Sequence, residues 1–179
     1  TKPAWALNYV FREKFALPQL DGHVTEGTGK AVSIQSYFSE MLDPTLNWKK
    51  AEQIRNDWGG TFCLKGVMSV GDARRAVEIG ADAIMVSNHG GRQLDGSRSP
   101  FDQLPEIVDA VGGQIEIICD GGVRRGTHAL KAVCAGATAA SGGRLYLYAL
   151  AAAGQDGVQM LEQHRLDLLV LGKTALDFS

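Results

Sequence analysis

Four apolar runs limit what this chain can fold into. "TFCLKG" begins at Thr61, "DAIMVSNHGG" at Asp82, "IEIICDGG" at Ile115 and "ATAASGGR" at Ala137. Their onsets fall about 20 to 30 residues apart, the period of strand–helix–strand units that feed a parallel sheet. The intervening segments carry helical signals. In "SVGDARRAVEIGA", Ser69 stands at the N-cap and Asp72 at the capping-box acid position, with Ala73, Val77 and Ile79 marking an inner face. "LPEIVDAVGG" reads as a helix closed by glycines, and "GTHALKAVCAGA" as one capped by Thr127. "PTLNWKKAEQIRNDW" is a helix leading into the first strand, and the segment from Leu145 supplies the last helical material. The fourth run is rich in Ala and Ser and is the weakest strand former of the set.

All four runs end in polar or glycine-rich residues. The first stops at Lys65-Gly66, and the second at Ser87-Asn88-His89-Gly90-Gly91-Arg92. The third stops at Asp120-Gly121-Gly122-Val123-Arg124, and the fourth at Gly142-Gly143-Arg144. The C-terminal ends of parallel strands share one rim, where ligands bind in such folds. Glycines there let backbone N–H groups approach an anion, and arginine recognises phosphate or carboxylate bidentately. The set predicts a site for a cofactor phosphate and a second anionic ligand. Within it, His89 has the chemistry of a general base and Arg92 that of a carboxylate clamp. His23, His128 and His164 lack such neighbours and are expected to be surface or core residues.

The first 60 residues lack the strand–helix rhythm. Residues 1–42 are expected to form a lid or loop and residues 43–179 the βα unit. Gly27-Thr28-Gly29 is no dinucleotide fingerprint, since the third glycine is missing and no strand precedes it. Trp5, Tyr9, Phe11 and Phe15, with Arg12 and Lys14, suit either an interfacial membrane-touching segment or an active-site lid. A formal net charge of −2 sets up no field that would recruit nucleic acid. Cys63, Cys119 and Cys134 sit in apolar runs without metal-ligand spacing and read as core thiols in a reducing compartment, so no metal is expected. No spanning segment or secretory leader is read, so a cytoplasmic protein is expected, with peripheral contact at the inner face of the membrane as the variant. The start at Thr1 is expected to mark a processed or excised piece.

Together, "VSNHGGRQLDG", "LKG", "DGGVRRG" and "GGRLYLYALAAAGQ" resemble the FMN-dependent 2-hydroxy acid oxidoreductases, such as glycolate oxidase, L-lactate dehydrogenase and mandelate dehydrogenase. "KPAWALNYVF" and "DPTLNW" are most similar to the quinone-linked lactate and mandelate branch. The resemblance implies an α/β TIM (βα)8 barrel of which this chain holds the C-terminal half, strands five to eight, behind a lid-like loop. It implies FMN as cofactor and oxidation of an L-2-hydroxy acid, L-lactate first, to the 2-oxo acid. Quinone, a cytochrome or oxygen would accept the electrons, and the protein would be a homo-oligomer.

The resemblance also assigns roles. Lys65 would sit against the flavin N1/O2 edge, and Ser87 would contact the ring or the ribityl chain. His89 would be the base and Arg92 the grip on the substrate carboxylate. Asp120 would bind the ribityl chain, with Gly121, Gly122, Val123, Arg124, Gly143 and Arg144 around the phosphate. The family's substrate tyrosines and the aspartate partner of its histidine would belong to the missing half. Two other readings remain open: a non-catalytic FMN- or phosphate-binding half-barrel that pairs to cover its open sheet, and a non-redox phosphate-binding barrel enzyme.

Overall fold

The computed structural model describes residues 3–11, 43–92 and 94–165. The chain divides into two compact units, Thr1–Asn47 and Trp48–Ser179. In the first, Pro3–Phe11 forms a helix (α1) inside the segment expected to be loop. Pro3 at its first position suits a helix start, where the missing N–H would have no partner. Leu7, Val10 and Phe11 are exposed on it. Asp43 Oδ1 accepts from the Thr45 amide at 2.8 Å and closes a turn near the unit's end. The Gly27-Thr28-Gly29 segment, His23, Arg12, Lys14 and Phe15, and the side chains of Trp5, Tyr9 and His164, lie outside the described residues.

The second unit is the expected alternation: α2 (Trp48–Trp58), β1 (Cys63–Lys65), α3 (Val70–Glu78), β2 (Ala83–Val86), α4 (Pro100–Val111), β3 (Glu116–Asp120), α5 (Gly126–Cys134), β4 (Ala139–Ser141) and α6 (Arg144–Arg165). The four strands lie parallel in the order β1-β2-β3-β4. Lys65 pairs with Met85, Met85 with Ile118, and Ile118 with Ala139. This register brings the four C-terminal ends to one edge.

Side chains alternate across the strands. Ile84, Val86, Ile117 and Cys119 are buried and belong to one core with Ala73 and Ala76 of α3 and Leu104, Ile107 and Val111 of α4. Each large side chain in that layer contributes about 1.5–3 kcal/mol by leaving water. At the alternate positions Cys63, Lys65, Glu116 and Ala139 are exposed and Met85 and Ile118 only half-buried, with the small Ala83 of the central strand β2 buried among them. Among the described residues, therefore, one face of the sheet is covered and the other largely open, and no further strand pairs with β1 or β4.

Capping follows the sequence at α3, where Ser69 Oγ accepts from the Asp72 amide at 3.0 Å. Helix α4 starts four positions before the expected Leu104, because Ser99 caps the Asp102 amide at 3.2 Å and Pro100 occupies the first turn. At α5 the expected cap, Thr127, is wrong. The N-cap is Arg125, extended at φ −146° and ψ 153° and without a side-chain cap bond, because the helix begins directly after the rim turn. The inner face of α3 is carried by Ala73 and Ala76, while Ile79 is its C-cap. The cysteines also depart from expectation. Cys119 is buried, but Cys63 lies on the open face of an edge strand and Cys134 on an uncovered side of α5, and both are exposed. Helix α6 bends at Ala153-Gly154. Among the described residues no helix is long and apolar enough to cross a membrane.

Candidate active site

Lys65, Asp120 and Ser141 are the last residues of β1, β3 and β4, and Ser87 directly follows β2. The parallel register makes them neighbours. Lys65 Nζ donates to Ser87 Oγ at 2.8 Å and lies 3.3 Å from Asp120 Oδ2. Ser87 Oγ donates to the same carboxylate oxygen at 2.5 Å and accepts from the His89 amide at 3.1 Å. The buried hydroxyl is thus fully used, one donor and two acceptor positions. Burial alone would push the Asp120 carboxyl up. The Ser87 hydroxyl, the Lys65 ammonium and the Ser141 hydroxyl outweigh it and hold the carboxyl below its ordinary value.

Beyond Ser87 the chain makes a tight 3-10 turn, His89–Gly91, with φ of 56°, 68° and 73° at its three residues. A non-glycine residue in the left-handed region costs energy, and His89 is the one such residue among those described. Asn88 holds the turn in place. Its Oδ1 accepts from the Gly91 amide at 3.2 Å, and its Nδ2 donates to Ser97 Oγ at 3.2 Å and to the Arg98 carbonyl at 3.3 Å. From the other side, Arg144 Nη2 donates to the Gly90 carbonyl at 2.8 Å. A Cβ at Gly90 would lie 1.9 Å from that nitrogen, so the guanidinium occupies the space a side chain would need. Farther out, the loop is pinned to α4 by Arg98, which pairs with Glu106 and donates to Gln103 Oε1 at 3.1 Å. The Arg98 bond first, and then one that Gln103 Nε2 donates to Glu106 Oε2 at 3.0 Å, hold the Glu106 carboxyl below its ordinary value.

A cavity of about 420 Å³ opens at this rim. Of the residues singled out from sequence, Lys65, His89, Arg92, Asp120, Gly121, Gly122, Val123, Arg124, Gly143 and Arg144 all line it. Ser87 does not; it lies beneath, joined to Lys65 and Asp120. The structure adds Ser141 and Tyr148 to the wall. Tyr148 gave no signal because nothing in its own neighbourhood tells a helix residue that a cavity faces it. Asn88 was legible as part of the polar run, but its anchoring contacts required the fold. His128, expected to be an uninvolved surface or core residue, instead contacts the rim turn: its Nδ1 accepts from the Arg124 amide at 3.3 Å. Among the described residues no cluster of His, Cys, Asp and Glu could hold a metal.

The fold defines the class: a parallel βα protein, four strands in sequential order with a polar cavity at their C-terminal ends, consistent with part of a TIM barrel. Residues 1–169 match the family of FMN-dependent dehydrogenases, and the chain belongs to it. Among its relatives, the L-lactate dehydrogenase of Actinobacillus pleuropneumoniae serotype 5b (strain L20) is 44% identical over 162 residues, covering 89% of this chain and 42% of the relative. The L-lactate dehydrogenase of Alcaligenes faecalis is 48% identical over 143 residues, covering 78% and 38%. A solved mandelate oxidase with (S)-4-hydroxymandelic acid superposes with a TM-score of 0.73 at 41% identity, covering 88% of this chain and 48% of that one. This chain therefore spans less than half the length of these relatives.

FMN is the cofactor of that family, and the residues here suit it. The cavity volume lies within the range of small-molecule sites. Among the described residues the Gly122 and Val123 amides have no acceptor within the protein, so both are available to an anion. Arg124, Arg144 and Lys65 bring positive charge to the lining of the same cavity.

Proposed function

We propose that the chain contributes the cofactor and base half of an FMN-dependent enzyme that oxidises an L-2-hydroxy acid, L-lactate first, to the 2-oxo acid. The observation that carries this is the single cavity lined by Lys65, His89, Arg92 and the glycine–arginine rim. The names of the relatives favour lactate as the acid.

In this reading Arg92 clamps the substrate carboxylate through its planar fork, and His89 takes the proton of the 2-hydroxyl. Lys65, aimed by Ser87 and Asp120, presents its charge to the cavity floor. Gly121, Gly122, Val123, Arg124, Gly143 and Arg144 would hold the phosphate of FMN, and Asp120 would bind its ribityl chain. Bound FMN would supply the two-electron acceptor that none of these side chains can provide. Quinone, a cytochrome or oxygen would then take the electrons. The exposed apolar side chains of α1 favour peripheral membrane contact by the first segment over a purely cytoplasmic enzyme, and sedimentation with anionic vesicles tests it.

A second reading is favoured by the largely open sheet face and by β1 and β4, with which no further strand pairs among the described residues. By itself the chain would be a non-catalytic FMN- or phosphate-binding half-barrel that pairs with a partner or a second copy to cover that face. One experiment separates the two: an absorbance spectrum with FMN, before and after anaerobic L-lactate, together with the mass in solution. Flavin that binds and bleaches supports turnover by this chain. Flavin that binds and stays yellow supports the half-barrel reading, and no binding removes FMN from both.

A further inference from the structure

The turn Gly121-Gly122-Val123 is a thin wall between two cavities. Its residues line both the 420 Å³ cavity at the rim and a second one of about 340 Å³ behind it, between the start of α4 and helix α5. His128 lines only the second cavity, one helical turn before Lys131. It therefore stands on the second cavity's side of the turn. Its Nδ1 lies 3.3 Å from the Arg124 amide and 3.2 Å from the Gly122 carbonyl. That nitrogen can serve only one of them at a time, as acceptor when bare or as donor when it carries the proton. The Arg124 N–H is directed at this nitrogen, a contact that needs the bare, accepting form.

We propose that His128 is a positioning residue for the anion-binding turn. By accepting from the Arg124 amide it ties the outgoing end of the turn to the first turn of α5. Among the described residues the Gly122 and Val123 amides, which belong to a turn lining the rim cavity, have no acceptor within the protein. Glycine-rich backbone has little stiffness of its own. At Gly121, moreover, φ is +103° and an added Cβ would come 3.2 Å from Pro100 Cγ, so side-chain bulk cannot brace the turn from within. The ring of His128 supplies the brace from outside. This inference rests on the FMN reading above for the identity of the anion but not for the geometry.

The test compares the wild-type chain with His128→Leu, which keeps bulk and loses the acceptor, and His128→Asn, which carries an acceptor at the same δ position. Affinity for FMN and for riboflavin is read from flavin fluorescence. His128→Leu should weaken FMN binding about threefold to tenfold, the worth of one ordinary hydrogen bond, while His128→Asn stays within about twofold and riboflavin affinity is the same in all three. Equal FMN affinity in His128→Leu, or a loss in His128→Asn as large as in His128→Leu, would overturn the proposal. If the wild type binds neither flavin, the FMN reading fails and hydrogen exchange at the Arg124 amide decides this one without a ligand. Faster exchange in His128→Leu with wild-type exchange in His128→Asn supports it, and equal rates in all three reject it.

Discussion

The Lys65 ammonium lies 3.3 Å from the carboxylate of Asp120, a residue 55 positions away, and the buried Ser87 hydroxyl bonds to both. Three strand ends thus meet at one polar knot beneath the cavity. Asp120 is well buried, while Lys65 keeps about half its side chain in water, so solvent screens the Coulomb part and the hydrogen bond from Ser87 carries more of the effect.

The knot makes stability sensitive to acid. The folded-state value of Asp120 is depressed below its ordinary 3.8, so its contribution is fully present above that value and is lost as pH falls through the folded one. Asp120→Asn should lower unfolding free energy by about 1–3 kcal/mol at neutral pH. The gap to wild type should then close as pH falls below the ordinary value. Urea midpoints across an acid series measure it, and a gap that stays constant down to the lowest pH would remove Asp120 from the account.

At Gly90 two effects can be separated. Alanine there meets the Arg144 guanidinium and must also hold a φ of +68°. The guanidinium can swing away, so the clash is relieved at the loss of its bond to the Gly90 carbonyl, whereas the backbone strain of about 1–2 kcal/mol persists. Gly90→Ala and Arg144→Ala should therefore be less than additive in a double-mutant cycle of denaturation midpoints. Strict additivity would show that the two residues are not coupled.

The chemical roles make a kinetic prediction. In a protein holding the complete barrel, His89→Gln should lower turnover by on the order of 10²-fold or more, the usual worth of a general base. Steady-state rates at saturating acid check this, and a variant with the parental rate is not missing its base. Arg92→Ala should raise KM for the hydroxy acid and lower kcat together, since a carboxylate grip both binds and orients. Unchanged values of both would take Arg92 out of the site.

Thiol labelling reads the sheet's two faces. Cys119 is buried beneath the helices, and burial first, then the Asp120 charge, pushes its thiol up. Cys63 and Cys134 are exposed. A thiol reagent at neutral pH should label those two in the native protein at least about tenfold faster than Cys119. Equally fast labelling of all three would mean that the core layer is loose.

What the sequence by itself determined is local. Strand and helix positions were legible because apolar runs and amphipathic periods report burial within a single element. Ser69 with Asp72 was legible as a cap because three residues suffice to make one. The rim residues could be named because parallel βα order sends every strand's C-terminal end to the same side. Where a local signal had a rival, it misled. Thr127 resembles a cap, but extended backbone at Arg125 starts the helix earlier. Cys63 and Cys134 sit in apolar runs whose partner faces are uncovered, so composition overstated their burial. Only tertiary structure decided the rest. Ser87 went beneath the cavity, Arg144 was joined to Gly90 across 54 positions, and His128 was set behind the phosphate turn. Those contacts depend on strand register and on how helices seat against the sheet. Register and seating are settled by the packing of the whole core, and no short stretch of sequence contains them.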